Sequence, residues 1–435
     1  MVAAISALTL NSCRPAAEVE RKTNLLILEN PDVESTSTVG GSEQATPFPT
    51  IVSAPAEDGE LIESGSSTII LWHALEGERL ADLLNWIDAF QTDHPNLHVE
   101  PFYVPFDDLQ NRFEAASQSG EGPTLLLAPT EWGPAFYEDG LIADLTKRAT
   151  PNLLSRILPS ALESARYHGA LVSLPRIFSK GIVLFRNTSI IPDAPTTFDE
   201  LITSARSIAS RNQIGAYLDY SFAFSGGSFV RLGGQLVDAE GVPRFNDATG
   251  IEWVNLLKRY EEAGPIGNNT DADLEYFIKG DVGMIIEGTW NTGAIAGAVP
   301  EENLAIDPLP EPLSGFVWTE SVYLSSAVPA QTAAVGWTFM KFLLSPEVQA
   351  ELTDPEAPDQ IPVLAGLEQS DPLTRQLENA LSGGVPFPAI PQMSVYWEPL
   401  DTALSAVLEG AVEPADALTR AEEEILGSLL ESENP

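Results

Sequence analysis

Between Thr68 and Ala128 the sequence alternates short apolar runs with amphipathic stretches, and that alternation restricts the fold more than any other feature. Thr68-Ile69-Ile70-Leu71-Trp72 is β-branched and apolar, and reads as a buried strand. Glu78 to Asp93 carries Leu80, Leu83, Leu84, Ile87 and Phe90, a spacing that puts one apolar stripe on a helix. His94-Pro95 ends it. Leu97 to Tyr103 reads as a second strand, Asp107 to Ser119 as a second helix, and Thr124 to Ala128 as a third strand. Strand–helix–strand–helix–strand is the pattern of a parallel sheet covered by helices. Such sheets bind ligands beyond the carboxyl ends of their strands. Trp72 to Glu76 and Ala128 to Trp132 therefore lie at the edge of a candidate cleft.

The pattern restarts at Gly181. Gly181 to Phe185 is a strand, and Thr197-Phe198-Asp199-Glu200 has the form of a capping box opening a helix through Ala209. Ile251 to Ala263 is an amphipathic helix closed by Gly264. Phe277 to Gly280 ends another, and Asp281 to Ile286 is a strand with Gly288-Thr289-Trp290 at its carboxyl end. The reading is two α/β lobes without an internal sequence repeat.

Composition narrows the partners. A chain of 435 residues has room for two or three domains. With 22 Lys and Arg against 63 Asp and Glu, its net charge of -41 excludes nucleic acid and opposes anionic lipid headgroups. It suits neutral or cationic ligands. One Cys excludes an internal disulfide and the multi-Cys zinc patterns, and the four scattered His form no HExxH site. No phosphate-binding glycine loop occurs, so neither metal nor cofactor is expected.

The single Cys has a particular setting. Residues 1–10, MVAAISALTL, are uncharged and run into Leu10-Asn11-Ser12-Cys13. This resembles a bacterial lipoprotein signal, in which the Cys is lipidated, although a basic segment ahead of the apolar run is missing. Residues 14–64 are rich in Ser, Thr, Pro, Gly and Glu, with ten Asp or Glu against three Lys or Arg. Such a segment cannot offset its own ordering entropy, and reads as a disordered tether. Most of the excess acid therefore belongs to the body that begins near Ser66.

Several segments of the body, in order, resemble the sugar-binding branch of the extracellular solute-binding proteins of ABC importers (family 1). Thr68 to His73 resembles that family's opening strand, and Gly122-Pro123-Thr124-Leu125 its strand entry. Tyr137 to Leu145 and Tyr167 to Pro175 resemble a helix exit and a hairpin. Lys279 to Met284 with Gly288-Thr289-Trp290, and Ile390-Pro391-Gln392-Met393-Ser394-Val395-Tyr396-Trp397, resemble two further blocks. The resemblance implies a two-lobed, type II periplasmic-binding fold with a hinge and an interlobe cleft. The expected boundaries are 1–13 for signal and lipobox and 14–64 for the tether. The N-terminal lobe would take 65–176 and 310–333, and the C-terminal lobe 177–309 and 334–432. Chain crossings are expected near Pro175–Arg176, in the Pro-rich Asp307–Pro312, and near Ala333.

The implied function is a binding subunit without catalysis, for a maltodextrin-like mono- or oligosaccharide. Its partners would be ABC permease subunits and an ATPase, with the membrane reached through Cys13. A monomer on the extracellular face, or in the periplasm where there is an outer membrane, is expected. A sugar needs flat aromatic platforms and oriented carboxylates. Trp290 and Trp397 match the family's stacking positions, with Tyr396 beside the second. Trp132 and Glu131 follow the third strand, and Glu76 follows the first. Phe222 and Phe224 belong to an aromatic cluster with Tyr220 before Gly226-Gly227. Each Trp also fits a half-buried core position, and Glu76 also fits a helix N-terminal acid. Arg176 and Lys180 read as structural ion-pair partners or as contacts for an anionic ligand. A secreted glycoside hydrolase, or a binder of a polyamine or organophosphate, are the alternatives. Neither a paired-carboxylate constellation nor a nucleophile elbow stands out.

Overall fold

Parallel pairing of the first three strands is what the alternating pattern predicts. In the computed structural model, Ser67–His73 lies between Leu97–Tyr103 and Leu125–Pro129, parallel to both. Ile69 faces Val99 and Leu71 faces Leu125 in register, so one face of the sheet carries Ile69, Leu71, Leu97, Val99, Leu125 and Leu127, all buried. Helix Gly77–Asp93 lays Leu83, Trp86, Ile87 and Phe90 on that face. Helix Phe106–Ser119 covers the other with Leu109 and Phe113. The structure describes residues 67–209, 213–238, 241–352, 360–367, 372–390 and 393–432. Cys13, the tether, Pro391 and Gln392 lie outside them.

Two long strands join this sheet to a second one. Leu174–Asn187 runs antiparallel to Phe316–Leu324 over its first half. Over its second half it pairs with Val282–Gly288 on one side and Leu304–Asp307 on the other. Ile214–Asp219 continues the second sheet, parallel to Val282–Gly288. The expected strand at Gly181–Phe185 is thus the far part of a longer one. The expected capping box forms: the Glu200 amide donates to Thr197 Oγ1 at 3.2 Å and the Thr197 amide to the Glu200 carboxylate at 3.3 Å. Helix Ala248–Lys258 continues as a 3₁₀ turn to Glu262 before Gly264, at φ 156°.

Two expected crossings fall elsewhere. The Pro-rich stretch stays with the second sheet, because the Phe198 amide donates to Glu311 O and the Glu311 amide to Thr196 O. The chain returns along Phe316–Leu324, whose Phe316 and Trp318 sit in the second lobe's core cluster and whose Val322 and Leu324 sit in the first's. Helix Ala330–Leu343 does not leave at Ala333. It packs Phe339 and Phe342 on Phe90 of helix Gly77–Asp93, at ring distances of 5.0 and 5.3 Å, and so shares with that helix the covering of one face of the first sheet. The last return comes after Ile361–Pro362, which still pairs with Phe178 and Ile177. Helices Trp397–Leu408 and Pro414–Ser432 then cover the second lobe. The largest apolar cluster is not confined to one lobe. It runs from Ile69 and Leu83 through Ile177 and Phe178 to Val282, Ile285 and Ile306.

Candidate functional site

The carboxyl ends of the first and third strands, with the middle of the two crossing strands, enclose a cavity of about 310 Å³. Its wall includes Leu75, Arg79, Phe106, Leu109, Glu131, Lys180, Trp318 and Glu320. That volume is at the low end for small-molecule sites. Glu131 stands on the turn Thr130–Trp132, directly after the third strand. A chain of hydroxyls fixes this turn against the return strand: Thr130 Oγ1 lies 2.7 Å from Ser321 Oγ and 2.8 Å from Thr319 Oγ1, which is 2.7 Å from Ser164 Oγ. Burial pushes the Glu131 carboxyl above the usual carboxylate range, and the Lys180 ammonium partly opposes this. Trp132 is half-buried, its ring tilted on Phe106 at 5.5 Å and edge-on to Phe136 at 6.2 Å. Glu76 is exposed at the rim, where the Tyr103 hydroxyl donates to it.

The crossing strands carry a buried ion pair under this cavity. Arg176, 1% exposed, donates to Glu320 Oε1 from Nε at 3.0 Å and from Nη2 at 2.5 Å. Its guanidinium also lies 5.7 Å from the Trp86 ring. Of its two sequence readings, the structural ion pair holds for Arg176. Lys180 is different: it is exposed, with Nζ 5.0 Å over the Trp318 ring.

In the second lobe the candidates separate into a surface group and a core group. Trp290 stands on the turn Thr289–Asn291 and is 48% exposed. Its ring lies over the α-carbon of Gly288, where any side chain would collide with it. Phe224, 8% exposed, holds it edge-on at 6.1 Å. Trp397 is half-buried and stacked on Phe387, 5.6 Å apart at 11°. Phe222 and Tyr396, by contrast, are 0% exposed. Phe222 is enclosed by Trp253, Phe316 and Trp397, and Tyr396 lies near Phe245, so both are core side chains that a ligand does not reach in this conformation. Helix Phe222–Arg231 puts Phe222 inward, and the Tyr396–Trp397 step divides the pair between core and surface.

Two features escaped the sequence reading. Phe387 stacks on Trp318 as well, 4.9 Å apart at 23°, so Trp397, Phe387 and Trp318 form one column that ends under Lys180. The aromatic richness of Phe316-Val317-Trp318 was visible in the chain, but its return through the cleft was not. Three carboxyls are buried in the second lobe: Asp219 at the end of strand Ile214–Asp219, Glu287 near the end of strand Val282–Gly288, and Asp273 in the first turn of helix Ala272–Ile278. Among the described residues no group of His, Cys, Asp and Glu is arranged to hold a metal ion.

The geometry has counterparts among known proteins. A family model described as bacterial extracellular solute-binding protein matches residues 85–380. The chain is 24% identical over 398 residues to the maltotriose-binding protein of Pyrococcus abyssi (strain GE5 / Orsay), covering 84% of this chain and 83% of that one. It is 24% identical over 393 residues to the galactooligosaccharide-binding protein of Bacillus subtilis (strain 168), covering 84% and 90%. An extracellular solute-binding protein from Staphylococcus aureus, solved in complex with maltose, superposes with a TM-score of 0.71 at 19% identity, covering 85% of this chain and 99% of that one. At that identity the likeness speaks for the fold: two α/β lobes of the type II periplasmic-binding arrangement.

Proposed function

We propose, from the premise that the chain belongs to the family of bacterial extracellular solute-binding proteins, that it is the substrate-binding subunit of an ABC importer. Its ligand is a mono- or oligosaccharide, with maltodextrins as the reference class, held between the lobes and delivered to the permease subunits. The observation that carries this reading is Trp290. A tryptophan left 48% exposed at a strand end, backed by a glycine and steadied by Phe224, gains nothing for the core. It offers what the apolar face of a pyranose needs, a flat fixed platform. Trp397 and Trp132 supply further ring surface, and Glu131 and Glu76 supply oriented carboxyls for hydroxyl groups. The relatives named for maltotriose and galactooligosaccharide support a sugar, and their binding names support a role without turnover. Lipidation at Cys13 would keep the subunit beside its transporter on the outer face of the membrane.

Calorimetry of residues 65–435 with maltotriose and a neutral sugar panel tests the reading. Binding is expected, with Trp290→Ala and Trp397→Ala each weakening it about tenfold or more while remaining folded. Binding of a polyamine, peptide or organophosphate with no sugar bound would overturn the ligand class. Release of reducing ends from a polysaccharide would overturn the absence of catalysis. Cys13→Ser in the full chain should move the protein out of the membrane fraction, and its retention there would refute the anchor.

A further inference from the structure

Two of the buried carboxyls of the second lobe hold the segments that carry Trp290 and Phe224. Glu287, 4% exposed, directly precedes Gly288, whose amide donates to Glu287 Oε1 at 2.5 Å. The Asn291 side chain donates to the same carboxyl, so Glu287 ties together the two ends of the turn on which Trp290 stands. Thr289 Oγ1 accepts from the Gly181 amide at 3.1 Å and fixes that turn to the crossing strand. Asp219, 1% exposed, accepts from the Ser221 amide at 2.7 Å. The Ser221 carbonyl accepts from the Phe224 amide at 3.0 Å, in the first turn of the helix that sets Phe224 edge-on to Trp290. Asp401 accepts from the Phe222 amide at the same helix start. The strand register sets Asp219 beside Glu287, and Asp273 acts on both from helix Ala272–Ile278, with its Oδ2 buried and unpartnered. Asp271, Tyr217, Tyr260 and Tyr276 are the other titratable groups around them. The cations of the packed elements are engaged elsewhere: Arg186, Arg206 and Lys279 pair with Asp307, Glu262 and Glu275, Arg231 donates to Gly383 O and Ser314 Oγ, and Lys180 lies over Trp318.

An exposed tryptophan binds a sugar ring tightly only where its plane is fixed beforehand. Resting on the saccharide reading of the cleft, we infer that Glu287 is the positioning residue of the Trp290 platform, and that protonation within the Glu287–Asp219–Asp273 cluster sets how firmly the platform is held for the sugar. A protonated carboxyl still accepts from Gly288 and Asn291 through its carbonyl oxygen, and its hydroxyl can donate to a neighbouring carboxylate. Three charged carboxylates repel one another strongly when shielded from water. The force acts on the two strand ends and the helix end that carry them, and so parts the Trp290 turn from the Phe224 helix. Burial, then mutual repulsion, raises Asp273 and Glu287 to about 7, above the ordinary carboxylate range. The held arrangement therefore keeps protons that a parted, hydrated one has already released. Its advantage is complete at a pH below the ordinary carboxylate range and is lost as pH rises through about 7.

Calorimetry with maltotriose and galactobiose at pH 5 and pH 8 tests this. The wild-type protein is expected to bind at least about fivefold more tightly at pH 5. Glu287→Gln keeps an acceptor oxygen for Gly288 and Asn291 and removes the charge, so its affinity at both pH values should lie within about twofold of the wild-type value at pH 5. In the ligand-free protein, tryptophan emission should shift between pH 5 and pH 8, and both Trp290→Phe and Glu287→Gln should abolish the shift. A wild-type affinity that does not change with pH, or a pH profile unaltered in Glu287→Gln, would overturn the inference while leaving a sugar-binding cleft. An emission shift that survives in Trp290→Phe would overturn it as well, because a purely structural Glu287 would disturb other tryptophans equally. Failure of both sugars and of the wider neutral panel to bind would overturn the saccharide reading, and the emission would still decide whether Glu287 positions Trp290.

Discussion

Asp219, Asp273 and Glu287 are 1%, 1% and 4% exposed, in a lobe where no cation is recorded beside them among the described residues. Continuing the register of Tyr217 with Ile285 by two residues sets Asp219 beside Glu287 on adjacent strands. Asp273 joins them from the first turn of helix Ala272–Ile278, with its Oδ2 buried and without a hydrogen-bond partner. Amides of Ser221 and Thr270 donate to Asp219, at 2.7 and 3.2 Å, which steadies its charged form. Asp271, Tyr217, Tyr260 and Tyr276 are the other titratable groups around the cluster. Burial first, then mutual repulsion, raises Asp273 and Glu287 to about 7. Folded values above the unfolded ones mean stability that is complete below pH 4 and is lost as pH rises through about 7. Asp273→Asn is therefore expected to stabilise the protein by about 1–2 kcal/mol at pH 8 and by far less at pH 4. Urea midpoints at the two pH values measure this, and an equal shift at both would contradict it. None of this was legible in the sequence. Among 63 acidic residues, three that become buried look like any others. The strand end before Trp290 was legible from Gly288 and Thr289, whereas the burial of the ligand-contact candidates Phe222 and Tyr396 was not, because adjacent aromatics can be told apart only by the helix phase that turns one inward.

Elements were easier to read than residues. The first three strands and two helices lie within one or two residues of the expected spans, since each is announced by its own periodicity and its own terminator. What the chain could not announce was tertiary: that Gly181 sits inside a 14-residue strand, and that helix Ala330–Leu343 belongs to the first sheet. Close approach between elements has the same character. Gly215 in strand Ile214–Asp219 faces the backbone of Ala205 in helix Phe198–Ala209, and a β-carbon there would overlap the Ala205 carbonyl and Cα. Backbone cannot step aside as a side chain can, so Gly215→Ala should cost about 2–4 kcal/mol. Gly297, in helix Thr292–Ala298, has nothing within 4 Å of such a carbon. Gly297→Ala should stabilise by about 0.5 kcal/mol. Urea unfolding of the two variants separates steric from propensity effects. Similar midpoints for both would show that the helix and strand are free to move apart.

At the scale of the whole molecule, the shared core decides how the two lobes respond together. The apolar cluster that passes through Ile177 and Phe178 couples the sheets at the very strands where the chain crosses. The Arg176–Glu320 pair lies in that coupling zone, tied to Trp86 on the first helix and, through the Arg176 carbonyl, to Gln349 Nε2 at 2.9 Å. The two partners are not equivalent. Arg176 is 1% exposed, cannot shed its charge, and already has Nη1 buried without a partner. Glu320 retains Arg79 when Arg176 is removed. Glu320→Gln should therefore cost more, about 3–5 kcal/mol, than Arg176→Met at about 1–3 kcal/mol. The double variant should fall short of the sum by at least about 1 kcal/mol, because removing both ends leaves no buried charge. Since the pair sits where the lobes share one core, each variant should lower a single calorimetric transition. Two transitions, with only one displaced, would mean that the lobes unfold independently and that the crossing strands do not bind them into one cooperative unit.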